Sequence, residues 1–293
     1  DYEKSERILR QILDTAPHLA QAKFDLALCL SRSGRKREAK ALYLELVRML
    51  PNNQVILDAL NKLNQQLLPE LEQRYASCPE DTDNAIELAW CYHQLHKSDK
   101  ANEIVEALPG ELAGTLEYEN LASKVKLARR EWKDALAHLR VWELALRQKE
   151  PVDTVRLIES QRLQACSLFS LGQQEKAMAL LKELSCQWPK DSECRKLLAQ
   201  FCLRANRLDE ALKAAGQYRE LMPEDPTGTF LCGEVLFRMR RLQEAYDAFG
   251  KTMELAGSRD AGCLLYQCRI LLLANQWEGA KKLLTQLEEA KVT

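Results

Sequence analysis

A short polar phrase ending in alanine recurs along this chain: GRKREA closes on Ala39, KSDKA on Ala101, REWKDA on Ala135, GQQEKA on Ala177, RLQEA on Ala245 and NQWEGA on Ala280. Ala101 and Ala135, Ala177 and Ala211, and Ala211 and Ala245 each stand 34 residues apart, as do Pro17 and Pro51, and Pro189 and Pro223. Ser192 to Pro223 shows what one period contains. Leu197, Leu198, Phe201 and Cys202 form one apolar stripe at helical spacing, and Leu208, Ala211, Leu212 and Ala215 form a second. A polar turn at Ala205 to Arg207 divides them. The small Ala211 lets the second helix lie close on the first. A unit of this size cannot bury its apolar face alone, so the periods must stack on one another.

The period near 34 residues, with a helix–turn–helix in each, resembles the tetratricopeptide repeat (TPR) family over nearly the whole chain. The resemblance implies an all-α fold: a right-handed superhelical solenoid of antiparallel helix pairs. Its inner surface would be lined by the first helix of each pair and would bind peptides or proteins. Abundant Leu and Ala, sparse β-branched residues and 6% aromatics favour helix over strand independently.

Read this way, residues 1–293 form one array. Residues 1–19 are a partial repeat, a second helix without its first. Full repeats span 20–53 and 82–115, with a degenerate, shortened repeat at 54–81 in which Pro69 restarts the helix. Residues 116–157 carry inserted residues in a longer second helix and a loop near Glu150 to Thr154. Regular repeats follow at 158–191, 192–225 and 226–260, and 261–293 is the terminal one. Gly34 supplies a turn, Pro51 closes a helix, and Asn53 and Asp225-Pro226 start helices. The last helix alternates Leu283, Leu284 and Leu287 with Lys281, Lys282, Glu288 and Glu289. Opening in mid-repeat without Met suggests a piece of a longer protein, and apolar faces at both ends leave self-association open.

The 42 basic and 43 acidic residues give a formal charge of −1, so no global field gathers nucleic acid or an anionic membrane. No run of eighteen apolar residues spans a bilayer. Ten cysteines include no Cys-x-x-Cys pair; they read as buried thiols in a cytoplasmic protein, with a periplasmic or envelope-facing location the alternative. His93 and His96 read as a surface pair rather than a metal site. Neither a phosphate-cradling glycine loop nor a nucleophile motif appears, so the chain reads as no enzyme, with no cofactor and no metal.

The family pattern places Phe24 and Arg32 in the groove from the first full repeat, and Trp90 and Lys124 from the next two. The regular repeats add Arg162 and Phe169; Lys196, Gln200 and Arg204; Phe230, Phe237 and Arg238; and Arg269. Cations interleaved with aromatics suit a partner segment carrying acidic and hydrophobic residues. The competing reading packs the aromatics between repeats and pairs the cations with Glu159, Glu193 and Glu234. The chaperone-type carboxylate clamp of some family members is not matched: Lys196 fits singly, but Gln200 stands where Asn is needed. The expected function is a non-catalytic protein-interaction scaffold. One alternative is a module of a larger protein, its enzymatic or membrane-anchored part outside these residues, as in secretion, polysaccharide export or envelope assembly. Another is an RNA-binding helical repeat, against which the acidic groove residues weigh.

Overall fold

The computed structural model describes residues 2–50, 53–257 and 260–290, and the side chains of these as far as Thr285. The chain divides into two compact units, Asp1–Ala145 and Leu146–Thr293. Every regular element among the described residues is helical.

The first unit holds α1 (Tyr2–Thr15), α2 (Ala20–Arg32), α3 (Lys36–Met49), α4 (Gln54–Ser77), α5 (Thr82–Gln94), α6 (Ser98–Ala107), α7 (Leu116–Ala128) and α8 (Trp132–Gln148) as far as Ala145. The second holds α9 (Thr154–Ser170), α10 (Gln174–Gln187), α11 (Ser192–Arg204), α12 (Leu208–Leu221), α13 (Pro226–Arg238), α14 (Leu242–Ala256), α15 (Ala261–Leu273) and α16 (Trp277–Ala290). From α1 to α7 and from α9 to α16, each helix packs on the next. First helices also touch first helices, α5 on α7 and α11 on α13.

One turn builds every pair. The residue after the first helix's last turn takes a left-handed conformation: Gly34, His96, Arg130, Gly172, Asn206, Arg240 and Asn275. The next N–H then reaches back to a carbonyl five residues earlier, as from Arg207 to Cys202 at 2.8 Å and from Arg241 to Leu236 at 3.0 Å. This is a Schellman closure, which satisfies orphan carbonyls and reverses the chain tightly. The helices it joins are then close enough that Ala39, Ala101, Ala135, Ala177, Ala211 and Ala245 are all 0% exposed. The recurring alanine is thus the helix crossing itself.

At the other end of each pair, a side-chain cap starts the next first helix. Asn53 accepts from Ile56 N at 3.3 Å, Asp81 from Asn84 N at 3.1 Å, and Asp225 from Thr227 N at 2.8 Å with Pro226 in the first turn. These caps satisfy N–H groups the helix cannot.

Two expectations change. Pro69 does not restart a helix: α4 runs unbroken for 24 residues with Pro69 inside it. Leu63, Leu67 and Leu71, all buried, carry one apolar stripe past the proline, and that packing outweighs the missing hydrogen bond. The insertion after Ala135 is shared, since α8 and α9 each reach 17 residues and α9 starts at Thr154 instead of Ile158. Pro51 and the side chains of Leu287, Glu288 and Glu289 lie outside the described residues.

Candidate functional site

In the first unit the sequence-predicted positions separate. Phe24 meets Tyr43 edge-on at 5.8 Å between ring centroids, as part of the core wall. Arg32 stays exposed and lines a cleft of about 410 Å³ between α1 and α2, with Tyr2, Ile8, Asp25 and Leu28. Trp90 and Lys124 come together: the ammonium lies 5.6 Å from the Trp90 ring and 5.8 Å from that of Trp142. A cation over an indole face is held by the ring's quadrupole. His93 packs edge-on to Trp90 at 5.7 Å, and its Nδ1 is buried without a partner. Burial, with Lys124 and His96 adding positive charge nearby, pushes its pKa down to about 4. His93 and His96 are therefore not a surface pair, because only His96 is exposed.

In the second unit the predicted residues tie one first helix to the next. Arg162 of α9 pairs with Asp191, the cap of α11, at 3.1 Å. Phe169 stacks on Phe201 at 4.1 Å. Arg238 of α13 donates to the Leu203 carbonyl of α11 at 2.9 Å. Phe230 and Phe237 pack edge-on to Tyr266 of α15, whose hydroxyl donates to Glu234 at 2.9 Å. The aromatics are thus committed to packing between repeats.

The cations are less consumed. Lys196 pairs with Glu193 at 2.5 Å and lies 6.0 Å from the Tyr218 ring. Arg204 and Arg238 are exposed in the last turns of α11 and α13, and Arg269, also exposed, lies over Tyr266 at 5.8 Å. Arg204 has no acidic partner among the described residues. Gln200 of α11 and Cys166 of α9 sit half-buried, and burial raises the Cys166 thiol despite Arg162 and Arg204.

Sequence reasoning missed Tyr266 and Asp191. Arg162 reaches a carboxylate 29 residues away, which spacing along one helix does not expose. Among the described residues no cluster of metal-ligating side chains occurs, and no helix is long and apolar enough to cross a membrane.

Models of the tetratricopeptide repeat match residues 1–54 and 168–228. Solved structures of similar fold include MamA (residue 41 to the end) from Desulfovibrio magneticus RS-1, at TM-score 0.52 and 15% identity, covering 60% of this chain and 94% of that one. PilF of Pseudomonas aeruginosa is similar at TM-score 0.53 and 20% identity, covering 71% of this chain and 90% of that one. No curated protein matches the chain.

Proposed function

Starting from its membership of the tetratricopeptide repeat family, we propose that this chain is a non-catalytic interaction scaffold whose second unit docks an acidic segment of a partner protein. The observation that carries the reading is the set of exposed arginines, Arg204, Arg238 and Arg269, on three first helices. Guanidinium groups in open positions offer charge-assisted, bidentate hydrogen bonds to carboxylates. Leu265 and Leu272, 45% and 37% exposed on α15, add apolar surface for a hydrophobic residue of the partner. Glu193, paired with Lys196 on α11, and Glu234, bonded to the Tyr266 hydroxyl that Arg269 overlies, weigh against a phosphate backbone as ligand. Free thiols, most of them buried, support a reducing compartment as the setting.

Selection of displayed random peptides on the full chain tests this. Enrichment of sequences carrying several acidic residues beside an apolar one is expected, with binding lost in the Arg204→Glu/Arg269→Glu variant. Enriched peptides without acidic bias would sink the reading.

A further inference from the structure

Lys40 lies on α3 at 6% exposure, and its Nζ is sealed from solvent with no hydrogen-bond partner. Lysine is almost never this buried unless paired. The groups around it are otherwise occupied. Glu87 of α5 is held by Arg37 at 3.5 Å. The Cys91 thiol of α5 donates to the Asn64 carbonyl of α4 at 3.3 Å, and Asn64 Nδ2 donates to Gln94 at 2.7 Å. Lys36 donates to the Gln66 carbonyl of α4 at 3.4 Å. Polar contacts therefore join α3 to α4, α4 to α5 and α3 to α5, yet none takes in Lys40. Asn64 Oδ1 is also buried without a partner.

We propose that Lys40 is a proton latch: the α3–α4–α5 junction packs more tightly around the neutral amine than around the ammonium, so a proton there loosens it. A lone ammonium in a site sealed from water, with no hydrogen-bond partner, carries a large desolvation cost. Burial accordingly lowers the Lys40 pKa from the ordinary lysine value; Cys91 and Glu87 of α5 oppose the change and Arg37 of its own helix adds to it. The charged and titratable groups that act on it thus lie on α3 and α5. The folded state therefore holds this proton less well than the unfolded chain does. Stability rises with pH between the folded value and the ordinary one of about 10.4, by up to about tenfold in the folding constant per pH unit. Since α5 also carries Trp90 and His93, loosening the junction disturbs the helix that presents them.

Urea denaturation of the full chain between pH 6 and 10.5 tests the latch in the wild type, Lys40→Met and Lys40→Arg. Met, neutral and of similar length, is expected to be at least as stable as the wild type at pH 6 and to lose one proton's worth of pH dependence. Arg, always charged, is expected to destabilise at every pH. The reverse order, with Arg tolerated and Met destabilising, would overturn the proposal. If either variant fails to fold, a ¹³Cε titration of the wild-type lysines decides: one lysine titrating well below the others supports the latch, and all of them near the ordinary value refute it.

Discussion

Phe169 of α9 lies face to face with Phe201 of α11, ring centroids 4.1 Å apart and planes 20° from parallel. The two residues are 32 positions apart in sequence, one on each of two consecutive first helices. Their stack is the seam between repeats, so an aromatic on the face expected to bind a partner is committed to holding the fold.

Phe201, 5% exposed, is expected to cost about 3–5 kcal/mol when truncated to Ala, and the half-buried Phe169 less. A double-mutant cycle by urea denaturation should return a coupling of about 0.5–1.5 kcal/mol, the usual worth of an aromatic pair beyond its area. Additive losses would mean the rings do not interact.

The helix crossings admit almost no added volume. A Cβ on Gly233 would lie 2.9 Å from the Phe249 ring, so Gly233→Ala is expected to lower stability by about 1–3 kcal/mol, as is Ala211→Leu at a fully buried crossing. Thermal melts of the two variants, both lower than wild type, check this.

The turns make a prediction of the opposite sign. Arg240 adopts φ +63°, a conformation that costs a side chain with a Cβ. Replacing it with Gly should stabilise the protein by about 0.5–1 kcal/mol, while Gly172→Ala at φ +78° should destabilise it by about 1 kcal/mol. Denaturant midpoints decide the signs.

His93 links stability to pH. Its folded pKa of about 4 lies below the ordinary histidine value of about 6.5, so the unfolded chain binds the proton better. The stability of the neutral, buried ring is fully present above pH 6.5 and is lost as pH falls toward 4. Unfolding measured at pH 7 and pH 5 should show a smaller drop for His93→Gln than for wild type. Equal drops would remove His93 as the cause.

How far the sequence reaches follows from what each residue needs. Ala211 and its equivalents announce the crossings because only a small side chain fits there, and Asp225-Pro226 announces a start because capping is local chemistry. Pro69 misleads, since a proline signals a break while the buried leucines on both sides of it keep α4 whole. Phe169 is ambiguous in sequence because a first-helix aromatic can face a ligand or the next repeat, and Phe201 decides between them in space. Lys40 is invisible in sequence. It reads as one more basic residue in GRKREAK, and only the packing of the folded chain around α3 seals it in.

The account rests most heavily on the open arginines of the second unit. Titration of a selected acidic peptide against wild type, Arg204→Glu and Arg269→Glu, with the peptide's carboxylates also reversed to lysine, tests it most directly. The account predicts at least tenfold weaker binding for each single reversal, and recovery when protein and peptide charges are swapped together. Unchanged affinity in the Arg204→Glu and Arg269→Glu variants would contradict it.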